Sequence, residues 1–265
     1  MMWQKMDNYK RSPKISIITV CYNAESEIEC TIRSVLEQTF IDYEYIIVDG
    51  GSKDNTMQIV NKYRDKITYI ISEPDLGIYD AMNKGIKLAS GEWLNMMNAG
   101  DKYVDENVLE NVFKNHVPDN VWVLYSDYYM YKSNGQIVRY NVDLINKSSF
   151  NHQCTIYRRF LHQMHGYYIV TKEIIISDIL FFYAIPTNQM MKIDTVIAYF
   201  VGGGISSKGN WSMEQWLCAD VVFRKRTFGN MVVMYYYRRL KKLIPQSLKD
   251  FIKGVVKWKG KNVSL

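Results

Sequence analysis

Through its first 116 residues the chain alternates two hydrophobic patterns. Short, nearly unbroken apolar runs occupy Lys14 to Tyr22 and positions 43–49, 67–73 and 92–98. Between them, apolar residues return every third or fourth position. Ile28, Ile32, Val35 and Leu36 do so within Glu25 to Gln38, and similar stretches cover about 54–64, 78–89 and 105–115. An unbroken apolar run suits a strand covered on both faces in a parallel sheet, whereas the wider spacing gives a helix one apolar side. Strand–helix alternation with short connections predicts a parallel, right-handed, doubly wound α/β sheet.

The second half reads differently. Trp122 to Tyr131 and Gln136 to Tyr140 flank Lys132-Ser133-Asn134-Gly135, which predicts a hairpin. A helical stretch near 171–184, a strand-like run from Met191 to Val201 and the glycine-rich Gly202 to Ser207 follow. Ser212 to Lys242 reads as helix, Pro245 interrupts it, and a last helix covers Gln246 to Trp258. In that last helix Leu248, Phe251, Ile252, Val255 and Trp258 share one side, opposite Lys249, Lys253 and Lys257. Tyr235, Tyr236 and Tyr237 run into Arg238, Arg239, Lys241 and Lys242 upstream of it. This is the profile of a helix lying in the plane of an anionic membrane surface, and equally of a helix packed on the body with a solvated lysine face.

Composition sharpens the contrast between body and tail. Among 265 residues, 48% hydrophobic and 23% charged, the net charge is +6. Residues 231–265 carry nine Lys/Arg against one acid, Asp250, so that segment holds +8 and residues 1–230 hold −2. A mildly acidic body argues against a nucleic-acid-binding domain, while the basic tail points to an anionic surface. Cys21, Cys30, Cys154 and Cys218 show no CxxC spacing and are expected to be buried free thiols in a reducing cytosol. The polar leader, 1–12, lacks the apolar core of a signal peptide, and no run is long and apolar enough to span a membrane.

The chemistry concentrates in three loops, each after an apolar run: Val48 to Asp54, Pro74 to Gly77, and Asn98 to Asp101. Acids beside glycine at the carboxyl ends of successive strands fall on the rim where open α/β sheets bind ligands. Carboxylates there suit a hydroxyl-rich ligand, a divalent cation, or both.

The stretches Pro13 to Asn23, Ser34 to Thr39, Ile46 to Thr56, Asp75 to Gly85, and Gly91 to Asp101 together resemble glycosyltransferase family 2. The match runs almost without a gap over 13–101 and thins to His152-Gln153, Ser177-Asp178 and Gly203 to Ser206 beyond it. The bacterial enzymes that build surface polysaccharides are the most similar members. The resemblance implies a GT-A fold, a Rossmann-like, mostly parallel central sheet flanked by helices, with a C-terminal helical extension. It divides the chain into a leader 1–12, a transferase domain 13–210 (nucleotide-binding half 13–116, acceptor-binding half 117–210), and basic amphipathic helices 211–265.

A nucleotide-sugar transferase has to recognise a base and ribose, neutralise a departing diphosphate and deprotonate an acceptor hydroxyl. Tyr22, with Thr19 and Asn23 on the same segment, is placed to stack on the base, or else packs at the strand end. Asp49 is placed to accept from the base imide, or else caps the following helix. By resemblance these positions hold uracil. Asp75, Gly77 and Asn83 line the nucleotide pocket in the family, with Asp80 either beside them or only a first-turn helix acid. At Asn98-Ala99-Gly100-Asp101 the family's Asp-x-Asp or Asp-x-Asp-Asp pattern carries Asn98 at its first acid and Gly100 at its third position, leaving Asn98 beside the nucleotide and Asp101 to hold Mg2+ or Mn2+. His152 is either a contact to the diphosphate or metal, or a partly buried structural residue. Asp178, an acid in the apolar run Ile174 to Phe182, is the candidate general base or a buried structural acid. As base it implies direct, inverting displacement.

The expected partners are a nucleotide-sugar donor, by resemblance of the uridine diphosphate class, and a glycan acceptor on a polyprenyl diphosphate. The expected location is the cytoplasmic face of the inner membrane. In this family the Gly202 to Ser207 loop can close over the donor. A nucleotide-sugar-binding protein without catalysis, and a membrane-surface interaction protein, are the alternatives.

Overall fold

The computed structural model describes residues 12–131, 135–143, 152–201, 211–223 and 227–240. The leader to residue 11, the Lys132 to Asn134 turn, the Gly202 to Ser207 loop and the last helix lie outside them. The chain divides into two compact units, 1–208 and 209–265.

The first unit opens with β1 (Ile15–Cys21), α1 (Ile28–Leu36), β2 (Tyr43–Asp49), α2 (Thr56–Asn61), β3 (Tyr69–Ser72), α3 (Ile78–Leu88) and β4 (Trp93–Met96). It continues through β5 (Lys102–Tyr103), α4 (Val108–Phe113), β6 (Val123–Tyr125), β7 (Tyr128–Tyr131) and β8 (Ile137–Tyr140). After a 3-10 turn at His152–Cys154 come β9 (Thr155–Arg158), α5 (Leu161–His165), α6 (Ser177–Tyr183), β10 (Met190–Lys192) and β11 (Ala198–Val201). Seven strands form the central sheet in the order β10-β6-β9-β4-β1-β2-β3, and four form a smaller sheet, β5-β11-β7-β8.

The unbroken apolar run of β1 follows from its position. It lies between β2 and β4, parallel to both, and all seven of its residues are buried. Successive side chains alternate faces. Ile15 and Ile17 join Ile28, Ile32 and Val35 of α1 and Val108 and Leu109 of α4 on one side. Ile18 and Val20 join Tyr79, Met82 and Ile86 of α3 and Phe181 and Phe182 of α6 on the other. With helices on both faces, no position in β1 is left for a solvated residue. β3 at the edge is more exposed.

Register carries the strand ends to one line. Cys21 pairs with Asp49, and Asp49 with Ser72. The central sheet is mostly parallel, as expected, and β9 runs antiparallel to both β4 and β6. Its beginning, rather than its end, therefore lies at the carboxyl rim, and the His152–Cys154 turn with it.

Four expectations are corrected. The Trp122 to Tyr131 arm is two strands in different sheets, β6 and β7, and only β7 pairs with β8 as a hairpin. The break falls at Ser126-Asp127, where Asp127 accepts from Lys192 Nζ (2.6 Å), Arg139 Nε (3.0 Å) and the Val142 amide (3.0 Å). The Met191 to Val201 run likewise divides into β10 and β11, and the helix expected near 171–184 is confined to α6. All four cysteines are free, but Cys30 and Cys218 are exposed.

The second unit holds α7 (Trp211–Val222) and α8 (Phe228–Leu240), where one long helix was expected. On α8 Val233, Tyr236, Tyr237 and Leu240 are exposed at helical spacing. No helix among the described residues is long and apolar enough to cross a membrane.

His162 shows how tightly the α6 side is packed. It is 4% exposed and stacks on Phe181 at 4.4 Å between ring centroids. Its Nδ1–H donates to the Gly166 carbonyl (3.0 Å) and its Nε2 accepts from the Tyr157 hydroxyl (3.0 Å). Burial lowers its pKa to about 4 from 6.5, against the pull of the Gly166 carbonyl. The unfolded chain therefore takes up this proton first as pH falls, and the stability that His162 contributes when neutral is lost progressively from about pH 6.5 to 4. Between pH 7 and 5 the loss expected from this group is about 2 kcal/mol. Urea unfolding across that range is expected to show the loss, and His162→Gln, which takes up no proton there, is expected to flatten it.

Candidate active site

The loops after β1, β2 and β3 are organised by their own polar groups. Asn23 has a positive φ of 48°, and its Oδ1 accepts from the Lys53 amide (2.9 Å) while its own amide donates to Ser52 Oγ (2.8 Å). Asp49, fully buried, accepts from the amides of Gly51 (3.1 Å) and Ser52 (3.0 Å) and from Ser72 Oγ (2.7 Å), with Ser52 Oγ also on it. A ligand donor at Asp49 would compete with these groups. Asp75 lies so close to Gly50 that a Cβ there would collide with its carboxylate, so the close approach requires glycine. Asp75 Oδ1 accepts from the Gly77 amide (2.8 Å), where α3 begins. Tyr22, at the end of β1, is 61% exposed beside this assembly.

Two expected nucleotide contacts are turned inward. Thr19 is fully buried with its hydroxyl 2.9 Å from that of Tyr45, because its place in β1 directs it into the layer between sheet and helices. Asn83, also buried, donates from Nδ2 to the Tyr168 carbonyl (2.8 Å) and accepts from the Tyr168 amide (3.0 Å). Its amide ties α3 to the segment before α6. Asp80 accepts from the Leu76 amide (3.0 Å), as a first-turn helix acid does.

The turn after β4 is pinned from α1. Thr31 Oγ1 donates to the Asp101 carbonyl (2.7 Å) and accepts from the Gly100 amide (3.0 Å), while Gly100 takes a φ of 96° that favours glycine. The Asp101 carboxylate is buried and accepts from Gln153 Nε2 (2.6 Å). Beside it a hydrogen-bonded chain crosses the rim. Asn98 Nδ2 donates to His152 Nε2 (2.9 Å), His152 Nδ1–H donates to Asp178 Oδ2 (2.8 Å), and the Tyr79 hydroxyl donates to Asp178 Oδ1 (2.7 Å). Three expected site residues, Asn98, His152 and Asp178, thus meet directly. Both ring nitrogens of His152 are occupied, so in this arrangement it offers neither to a metal nor to a diphosphate.

Asp178 opens α6 and remains 17% exposed. Burial is the largest single influence on it and opposes ionisation, but His152, the Tyr79 hydroxyl and the Ile179 amide together outweigh it. The carboxyl is held below its usual range and is ionised at neutral pH.

Among the described residues no group of three or more His, Cys, Asp or Glu side chains could hold a metal. Asn98 Oδ1 and Gln153 Oε1 are buried and accept no hydrogen bond, and both residues are bonded to Asp101, Gln153 through its Nε2 and Asn98 through its backbone carbonyl. An all-oxygen set of one carboxylate and two amide carbonyls suits Mg2+ or Mn2+.

Tyr79 and Gln153 were not assigned roles from sequence. Tyr79 shares the apolar helical side of Met82 and Ile86 and so reads as core. Its hydroxyl meets a carboxylate 99 residues away, which periodicity does not record.

Comparison with known proteins agrees with this geometry. A model described as Glycosyl transferase family 2 matches residues 16–176. A "PGL/p-HBAD biosynthesis glycosyltransferase" of Mycobacterium bovis is 29% identical over 266 residues, covering 94% of this chain and 98% of that protein. S. aureus TarS 1–349 in complex with UDP-GlcNAc superposes with a TM-score of 0.63 at 24% identity, over 79% of this chain and 65% of that one. The mannosyltransferase PcManGT from Pyrobaculum calidifontis, in complex with GDP-Man and Mn2+, gives 0.58 at 15% identity, over 87% and 65%. This chain thus spans about two thirds of each solved structure, and the two likenesses establish the GT-A fold. The family match begins in β1 and ends two residues short of Asp178, taking in every rim loop, and the chain belongs to glycosyltransferase family 2.

Proposed function

We propose that this glycosyltransferase inverts the anomeric centre of a uridine-diphosphate sugar and delivers the sugar to a hydroxyl of a lipid-linked glycan, in surface polysaccharide synthesis. The observation that carries the reading is Asp178: an ionised, partly exposed carboxylate on the rim that also bears Tyr22, Asp75 and Asp101. The neighbours described with UDP-GlcNAc and with GDP-Man and Mn2+ support a nucleotide-sugar donor. The M. bovis relative, named a PGL/p-HBAD biosynthesis glycosyltransferase, supports sugar transfer in a biosynthetic assembly.

Tyr22 offers its exposed ring to the base, a planar partner that stacks without demanding a fixed hydrogen-bond pattern. Asp49 and Asp75, with the amides they organise, face the nucleoside end, and Asn98 and Asp101 face the diphosphate. Asp178 accepts the proton of the acceptor hydroxyl as that oxygen bonds to the anomeric carbon. The bond from this carbon to the diphosphate oxygen breaks in the same displacement, which inverts the centre. Mg2+ or Mn2+, when bound, supplies Lewis-acid stabilisation of the leaving diphosphate, and Asp101, Asn98 Oδ1 and Gln153 Oε1 are the oxygens that would hold it.

The exposed stripe Val233, Tyr236, Tyr237 and Leu240 of α8, with the basic residues around and after it, supports attachment to an anionic membrane surface on the cytoplasmic side. A lipid-borne acceptor is presented at such a surface.

A nucleotide-sugar screen for hydrolysis and transfer, run with Mg2+, with Mn2+ and with chelator, tests the donor. Transfer is expected with a UDP-sugar and loss of transfer with chelator. Asp178→Asn is expected to lower transfer by about 10²-fold or more while UDP still raises the melting temperature. Unchanged turnover in that variant removes the base assignment, and the absence of a melting shift with any nucleotide removes the donor reading. For the membrane reading, the full chain is expected to sediment with phosphatidylglycerol vesicles and not with phosphatidylcholine vesicles. Replacing Val233, Tyr236, Tyr237 and Leu240 with Ser should weaken that binding; equal sedimentation of variant and parent would dismiss it.

A further inference from the structure

The two oxygens of Asp178 are held from two separate elements. Tyr79, in the first turn of α3, donates to Oδ1 at 2.7 Å, and His152, in the turn before β9, donates to Oδ2 at 2.8 Å. We propose that Tyr79 and His152 are positioning residues for the general base, together fixing the plane of its carboxylate. This inference rests on the reading of Asp178 as the base.

Tyr79 is the informative member. Its ring lies among apolar residues and 5.6 Å from the Tyr168 ring, a place that phenylalanine would fill equally well by packing alone. The hydroxyl is the part that packing does not explain, and it reaches Asp178, with the Ile175 carbonyl at 3.1 Å as a second acceptor. Burial, and then the neighbouring Asp178 charge, raise the Tyr79 pKa, so the group stays a neutral donor and does not compete for the charge. Tyr79 is also two residues from Gly77, whose amide binds Asp75. One short stretch of α3 therefore reaches both the nucleotide loop and the base.

His152 completes the clamp. Its Nε2 accepts from Asn98, which leaves the proton on Nδ1 and directs it at Asp178. The other titratable groups near Asp178 are the buried hydroxyls of Tyr157 on β9 and Tyr168 before α6, and the Ile179 amide donates from its own helix. With one side-chain donor on each oxygen and the Ile179 amide beside them, the carboxylate has lone pairs left for an incoming hydroxyl but little freedom to rotate away from it.

The full-length protein, labelled with 13C at aspartate carboxyls, reports the clamp directly by NMR titration, with Asp178→Asn assigning the Asp178 signal. Tyr79→Phe retains the ring and removes only the donor. The Asp178 midpoint is expected to move to higher pH in Tyr79→Phe and in His152→Ala, and to return towards the parent value in His152→Gln, which retains an amide donor. With the UDP-sugar turned over by the parent enzyme, Tyr79→Phe is expected to lower kcat about tenfold with donor KM within about twofold, as loss of one hydrogen bond to a charged group implies. An unchanged midpoint and kcat in Tyr79→Phe overturn the positioning role. Retained turnover in Asp178→Asn instead overturns the base assignment, whatever the titration shows. If Tyr79→Phe fails to fold, the His152→Ala and His152→Gln pair decides the question by the same titration.

Discussion

A carboxylate set into an apolar segment needs donors, and Asp178 obtains them from parts of the chain that share no local sequence. Ile174, Ile175 and Ile176 precede it and Ile179 and Leu180 follow it, so its own neighbours supply little beyond one backbone amide. The cost of leaving such a group unpaired is several kcal/mol. Tyr79 and His152 meet that demand, and each can do so only because a larger feature delivers it. α3 has to pack against the same side of the sheet as α6, and β9 has to enter the sheet at the rim.

The direction of β9 is consequently the feature on which the site depends most. In a wholly parallel sheet the residues before a strand lie at the end away from the ligand rim. Antiparallel pairing with β4 and β6 reverses this and carries His152 and Gln153 to the ends of β1 to β4. His152 then bridges Asn98 to Asp178, and Gln153 reaches Asp101. The Asn98–Asp101 turn and Asp178 are joined through two consecutive residues.

The rim acids divide into two kinds by what already binds them. Asp49 is buried and occupied by amides and hydroxyls of its own and the adjoining loop, so its first effect is to shape that loop. Asp75, Asp101 and Asp178 each accept from one or a few defined donors while lying at the rim. The replacement of an acid by Asn98 has a consequence that a carboxylate could not reproduce with His152 in this tautomer: the amide nitrogen donates to the ring while the amide oxygen accepts no hydrogen bond.

Local sequence determined the framework because burial in a layered sheet has a periodic signature. The run over 43–49 is β2, Tyr43–Asp49, and the helical spacing of Ile28, Ile32 and Val35 is the buried side of α1. The acid–glycine loops were legible as the ends of these strands for the same reason, and the family resemblance added the roles proposed for Asp49, Asp75, Asp101 and Asp178. Periodicity failed where polar residues are buried through distant partners. Ser126-Asp127 divides one apparent strand into β6 and β7 because Lys192 and Arg139 come to Asp127 from elsewhere in the chain, and Thr19 and Asn83 turn inward to Tyr45 and Tyr168. Strand direction, the partners of His152 and the hydroxyl of Tyr79 are likewise set by contacts between residues tens of positions apart. Hydrophobic spacing records which face of an element is covered; only the tertiary structure decides which polar atom is waiting there.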